Sequence, residues 1–266
     1  MSATLVRPAE RTWDPVREGV RAVFWLGVRE VRTVMRLPAA LLPNLIIPIF
    51  FFFVMVGSLE RLANASGLPN WKAFQLPVSI MFAVTGGSAG LNMVADIESG
   101  YFDKLLVTPA ARLSLLLGDM AADYIRIMAQ ALIVVVIAMA TGVDFASGVV
   151  GAIVMVAIAG VWGLAYSAAG FAVALKTGNA QATQSMWALF LPLMFLSTMF
   201  APESALSGWL RGAATVNPMT YVLRGMRSLS MIGWDAHAIA VSLFAAGLFG
   251  IVTMSVALIA LRSRIK

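Results

Sequence analysis

Phe145 to Leu175 reads FASGVVGAIVMVAIAGVWGLAYSAAGFAVAL, a run without one charged side chain. The hydrocarbon core of a bilayer is crossed by about 20 apolar residues in helical form. The run is longer than one crossing needs and too short for two, so it reads as a single long span. Working outward, charge-free stretches also occupy residues 37–59, 73–95, 127–143, 177–202 and 236–261. The third is short and starts earlier, near Asp123. Six spans result, at about 37–59, 73–95, 120–143, 147–175, 179–201 and 236–261. Residues 212–223 are apolar over only half a crossing and carry Asn217-Pro218 in their middle, which predicts a re-entrant or interfacial element.

Composition agrees with an all-α membrane fold. The chain is 60% hydrophobic and 12% charged, where soluble domains carry roughly 25% charged residues. Lipid is the solvent that tolerates such a surface, because apolar side chains lose nothing against acyl chains and helices satisfy their own backbone. The absence of Cys excludes disulfides and thiolate chemistry, and one histidine, His237, leaves no material for a zinc site. The net charge of +6 points to anionic headgroups rather than nucleic acid, since most basic residues border apolar spans.

Residues 1–36 hold seven Arg and no uninterrupted apolar core, which argues against a cleavable signal peptide. They form a separate region, a tail with an amphipathic helix, ahead of the membrane domain at 37–266. Within 14–36, Val16, Val20, Val23, Val31 and Val34 share one helical sector, and Arg17, Arg21, Arg29, Arg32 and Arg36 lie opposite. Trp13 and Trp25 are placed as interfacial anchors. Two roles fit: a membrane-surface anchor alone, or an anchor that also docks a cytoplasmic partner. An even number of crossings puts both termini on one side. Arg7, Arg11, Arg17, Arg21, Arg29, Arg32, Arg36, Lys104, Arg112, Arg126, Lys176, Arg262, Arg264 and Lys266 fall on that side, against Arg61, Lys72, Arg211, Arg224 and Arg227 on the other. The positive-inside rule makes the richer side, and both termini, cytoplasmic.

The loop after the second span reads Asp96-Ile97-Glu98-Ser99-Gly100-Tyr101-Phe102-Asp103-Lys104-Leu105-Leu106-Val107-Thr108-Pro109, then Ala110-Ala111-Arg112. Acidic residues, a Gly and a short amphipathic stretch stopped by Thr-Pro predict a brief helix along the membrane face. A simple turn would need far fewer residues. A second cluster, Asn217-Pro218-Met219-Thr220-Tyr221 before Arg224 and Arg227, precedes the last span. At these residues the sequence resembles the type 2 permeases of the ATP-binding-cassette superfamily, in particular daunorubicin-resistance-like exporters. Glu98, Gly100, Phe102, Lys104, Leu105, Thr108 and Pro109 stand where that family has an acidic residue, a Gly, an aromatic residue and a closing Thr-Pro; Asn217, Pro218, Thr220 and Tyr221 resemble its Asn-Pro-x-Thr-Tyr element. The resemblance covers nearly the whole chain.

It implies a permease subunit in the cytoplasmic membrane of a prokaryote, exporting a hydrophobic or amphipathic substrate. It implies a cytoplasmic coupling helix in which Glu98, Gly100, Phe102, Asp103 and Lys104 meet an ATPase subunit, and an assembly of two permeases with two ATPases. It also places the second and fifth spans along the substrate path, where Thr85, Ser88, Asn92, Gln184, Trp187, Phe190, Met194 and Thr198 mix polar with large apolar groups. Ordinary helix packing is the simpler reading of any one of these residues. Pro43, Pro48 and Pro192 are positions where the helices can bend, and residues 202–233 are expected as two short helices forming a lid or a headgroup anchor on the outer side.

The chain is not expected to be an enzyme. It holds no Gly-x-x-x-x-Gly-Lys-Ser/Thr loop. Gly86-Gly87-Ser88-Ala89-Gly90 lies inside an apolar span without a Lys and suits close helix packing. ATP and Mg therefore belong to a partner chain, with no cofactor in this one. An ion-driven secondary transporter would place ionisable groups deep in its spans; here Asp119 and Asp123 are read as lying near a membrane edge. An intramembrane enzyme would need a nucleophile with its base, or metal ligands, at membrane depth. A non-catalytic assembly subunit is the remaining alternative.

Overall fold

The computed structural model describes residues 42–65, 70–85, 90–100 and 112–264, together with residues 24, 25, 28, 32 and 36. Among them there are helices and no strand. In chain order these are α1 Leu42–Ala65, α2 Trp71–Thr85, α3 Leu91–Glu98, α4 Arg112–Ala140, α5 Gly148–Thr177, α6 Ala180–Gln184, α7 Trp187–Phe195, α8 Gly208–Val216, α9 Pro218–Arg227 and α10 Ala236–Arg264. A 3-10 turn at Glu203–Ala205 and a π-helical turn at Ser228–Ile232 flank the α8–α9 pair.

Four helices, α1, α4, α5 and α10, are long and apolar enough to cross a membrane. The second and fifth spans are not the continuous helices that residues 73–95 and 179–201 suggest. The second consists of α2 and α3, and Gly90, the residue before α3, is not helical. Gly90 enters α3 with φ of +78°, and a Cβ there would lie 2.9 Å from the carbonyl oxygen of Gly170. Glycine is required on both counts. The fifth consists of α6, begun by the Asn179 side chain accepting from Ala182 N, and α7, which contains Pro192. The third span is a full helix that begins at Arg112. Arg126 accordingly lies inside α4, not in the preceding loop.

The protomer is built around α5. Of its apolar window 56% is buried, against 17% in α1 and 22% in α10, so the last two are peripheral. Small residues let neighbours approach α5. Side chains of Tyr124 and Met128 fill the space over Gly160, and Ile127 and Val84 that over Gly163. Trp162 stacks on Phe249 of α10 with ring centres 5.0 Å apart. Phe50, Phe244 and Ile259 face outward at 65% exposure or more, as lipid-facing positions do.

Contacts sort the helix termini into two ends. At one, Ile97 of α3 and the Arg264 guanidinium both approach Gly178, the residue that closes α5, and Arg264 Nη1 donates to Leu175 O at 3.0 Å. At the other, Lys72 Nζ donates to Thr141 O, and Ser147 bonds Leu229 O through both its amide and its hydroxyl. These are called the Glu98 end and the hairpin end below.

Candidate functional site: the Glu98 end and the helical hairpin

Glu98 is the last residue of α3 and is exposed. Two residues on, Gly100 takes φ of +68° and donates its amide to Ile97 O at 3.0 Å. This left-handed residue closes the helix and turns the chain away. Among the described residues nothing occupies the space a Gly100 side chain would need, and its left-handed φ by itself calls for glycine. Phe102, Asp103, Lys104, Leu105, Thr108 and Pro109 lie outside the described residues. The stub is firmly footed: Met93, Leu116, Met120, Phe171, Leu175 and Leu261 form a buried cluster against which Ile97 packs. Of the N-terminal amphipathic segment, Phe24 and Trp25 are helical, exposed and in edge-to-face contact; Trp13 and most of residues 14–36 lie outside the described residues.

At the opposite end α8 and α9 form a hairpin whose tip is Asn217-Pro218. The Asn217 side chain accepts from Met219 N at 3.0 Å, starting α9, and Pro218 follows at the first helical turn. Both choices suit a helix start. α9 runs antiparallel to α10: its Gly225 lies against Ala238 and Ser242, near the start of α10, while Pro218 and Tyr221 border Ala245 and Leu248 farther along. The tip therefore points toward the middle of α10. Tyr221 donates its hydroxyl to Thr215 O at 2.6 Å, and Arg224 pairs with Glu203 and lies 5.6 Å from the Tyr221 ring centre. Thr220 is buried, with a hydroxyl that has no partner among the described residues.

The hairpin supplies donors to carbonyls in the two broken spans. Asn217 Nδ2 donates to Leu193 O at 2.6 Å. Arg227, buried, donates to Phe74 O, to Thr198 O and Oγ1, and to Met199 O at 2.7–3.3 Å. Its guanidinium also lies 3.5 Å from the Phe74 ring centre. A guanidinium stays protonated in proteins, so the group is cationic. Ser230 donates to Ala73 O at 3.0 Å. In an apolar surrounding each such carbonyl left bare is costly, and the broken spans are held in shape by these side chains.

The path residues divide. Phe190 and Met194 are buried inside the protomer, Phe190 with its ring edge-to-face against Phe82 and Tyr166. Thr85 is buried and bonds Met81 O within its own helix. Thr198 is held by Arg227, and Gln184 is exposed. Ser88 lies outside the described residues; Asn92 is in α3 and Trp187 starts α7.

Two features were not evident from the sequence. Asp123 is buried in α4, paired with Arg126 and accepting from Ser167 Oγ of α5 at 3.2 Å; it belongs to the bundle interior. The i, i+3 spacing of the two charges was the available signal. Arg227 gave no such signal, because its partners are backbone carbonyls far away in the sequence.

The model of the ABC-2 type transporter family matches residues 21–231. The chain is 24% identical, over 71% of its length and 69% of the relative's, to the "Probable doxorubicin resistance ABC transporter permease protein DrrC" of Mycobacterium tuberculosis. It is 26% identical, over 72% of its length and 69% of the relative's, to the "Daunorubicin resistance ABC transporter permease protein DrrB1" of Streptomyces coeruleorubidus. With most of its length covered by that model, the chain belongs to the ABC-2 type transporter family.

Proposed function

We propose that the protein is the permease subunit of an ABC exporter, carrying a hydrophobic or amphipathic substrate outward with ATP hydrolysed by a separate subunit. Family membership supports the class, and the names of the drug-resistance relatives support the kind of substrate. One observation carries the mechanism. α3 ends at Glu98 and Gly100, and Ile97 beside them bears on Gly178, where Arg264 ties α5 to the end of α10. A displacement of residues 98–104 by a docked ATPase is transmitted directly to two long helices. The broken second and fifth spans then supply joints, and two states differing in their arrangement can be biased by nucleotide.

In this reading the Glu98 end is cytoplasmic, as its basic residues favour, and the hairpin end is outside. The second and fifth spans each cross in two pieces, giving six crossings, and two permeases assemble with two ATPases around a path bordered by these spans. Glu98, Gly100, Phe102, Asp103 and Lys104 meet the ATPase.

The test is reconstitution of the permease with its ATPase in proteoliposomes, scored by ATP-dependent accumulation of a fluorescent anthracycline. Replacing Glu98 and Phe102 together with Ala is expected to abolish accumulation and ATPase co-purification while leaving membrane insertion intact. Normal accumulation by that variant overturns the coupling assignment. The buried Asp123 favours an ion-driven transporter as a second reading; transport that survives ATP removal but is lost on collapsing the proton gradient would establish it.

A further inference from the structure

A groove of about 470 Å³ lies between α9 and α10, walled almost wholly by apolar atoms and bordered by Pro218, Tyr221, Phe244, Ala245, Leu248 and Val252. Its volume is in the range of small-molecule sites, about 300–1,000 Å³. The groove is preformed. Gly225 has no room for a side chain against Ser242, whose Cβ would lie 2.5 Å away, so α9 and α10 are pinched together above it. Toward the α9 tip the groove opens, and it opens outward: Phe244 is 71% exposed and Val252 56%.

From Val241 to Val252 the wall follows α10 for roughly 17 Å at about 1.5 Å per residue. That is close to half of a hydrocarbon core of about 30 Å. The groove thus spans one leaflet, beginning at the hairpin end. A cavity of this kind facing acyl chains has no polar groups to hold water. Its mouth is different. Arg224 stands beside Tyr221 at the rim, and Arg211 lies close by; Glu203 receives the Arg224 guanidinium by its carboxylate and the Arg211 Nε by its carbonyl. A guanidinium has five N–H donors, so both Arg keep donors to spare. Nearby Asp235 is engaged with the amide of Ala238 at the start of α10.

We propose that this groove is a binding site for one glycerophospholipid of the hairpin-side leaflet, with an acyl chain along Ala245 and Leu248 and the phosphate at Arg224. The occupant is set by the combination: a leaflet-deep apolar slot ending at guanidinium donors at headgroup level matches a diacyl phosphate ester, and neither a free phosphate nor a neutral lipid satisfies both parts. The proposal requires α10 to cross the bilayer and is independent of ATPase coupling; only the leaflet's identity rests on the orientation proposed above.

Native mass spectrometry of the delipidated, detergent-purified chain titrated with phosphatidylglycerol, or with diacylglycerol of the same chains, tests it. The unaltered chain is expected to retain phosphatidylglycerol about tenfold more tightly, the difference one charge-assisted contact makes. Arg224→Gln should bring phosphatidylglycerol down to the diacylglycerol level. Ala245→Trp should remove both lipids, with the lipid-facing Val252→Trp as a second filling variant should the first fail to melt cooperatively. Inorganic phosphate at millimolar concentration should not displace the lipid. Equal retention of the two lipids by the unaltered chain, or full retention by a folded filling variant, overturns the assignment.

Discussion

The hydroxyl of Ser230 donates to the carbonyl of Ala73 at 3.0 Å, and the residue four places after Ala73 is Pro77. Proline has no amide hydrogen, so the helical bond that this carbonyl would accept cannot form. A side chain more than 150 residues away takes its place.

Removing the hydroxyl should expose the vacancy. Ser230→Ala is expected to destabilise the protein by about 1–3 kcal/mol, the penalty of a buried unsatisfied carbonyl. Pro77→Ala in the same background should recover part of the loss by restoring an amide donor. Unfolding in mixed detergent micelles measures both, and additive effects of the two changes would show that the groups are uncoupled.

Arg227 serves carbonyls of Phe74, Thr198 and Met199 together. Arg227→Ala should cost roughly 2 kcal/mol or more by the same penalty applied to the Thr198 and Met199 carbonyls, which lie beyond the end of α7. Arg227→Lys should rescue less than half, because an ammonium cannot reproduce the planar fork. Thermal denaturation by the fluorescence of Trp71, which stacks on Phe74, reports it; full rescue by Lys would make charge, not geometry, the determinant.

Within α4, the buried Asp123 pairs with the partly buried Arg126. Asp123→Asn should destabilise by about 3–5 kcal/mol by stranding a guanidinium, and adding Arg126→Gln should restore most of that. A double-mutant cycle on detergent unfolding measures the coupling; a double variant no better than Asp123→Asn would mean that the carboxylate acts through other partners.

At the Glu98 end, Gly100 has left-handed backbone, with no described residue crowding it. Gly100→Ala should cost about 1–2 kcal/mol locally, and Gly100→Asn less, since Asn tolerates this conformation. ATP-driven export should follow the order Gly, Asn, Ala, Val. Equal export by Asn and Val variants would remove the conformational explanation.

The long spans were legible because lipid imposes a simple rule: charge-free runs of sufficient length become helices. The fourth and sixth spans, at 147–175 and 236–261, match α5 Gly148–Thr177 and α10 Ala236–Arg264 to within a turn, and the half-length stretch with Asn217-Pro218 does form short helices. The same rule misled where helices break. Apolarity says nothing about continuity, so the divisions at Gly90 and at Ser185-Met186 passed unseen, although the glycine run and Pro192 were in view. The third span was started too late, at about 120 and not at Arg112, because Asp119 and Asp123 read as lying near a membrane edge; pairing inside the bundle makes such charges compatible with a helix. Arg227 counted only as an outer-side charge, since hydrogen bonds to distant carbonyls leave no pattern in a sequence. Of the residues proposed to couple to an ATPase, the exposure of Glu98 and the turn at Gly100 are visible, and Phe102 to Lys104 lie beyond the described residues.

The donors that complete the second span come from residues 227–230, separated from Phe74 and Ala73 by 153 and 157 positions. During synthesis the early segment is made long before those donors exist. Carbonyls that cannot be left bare in hydrocarbon then have to be sheltered by water or by insertion machinery until the hairpin is translated. Completion of the membrane fold is thereby tied to a late stretch of the message, and a ribosome halted before Arg227 would leave a nascent chain with its second crossing still unsealed.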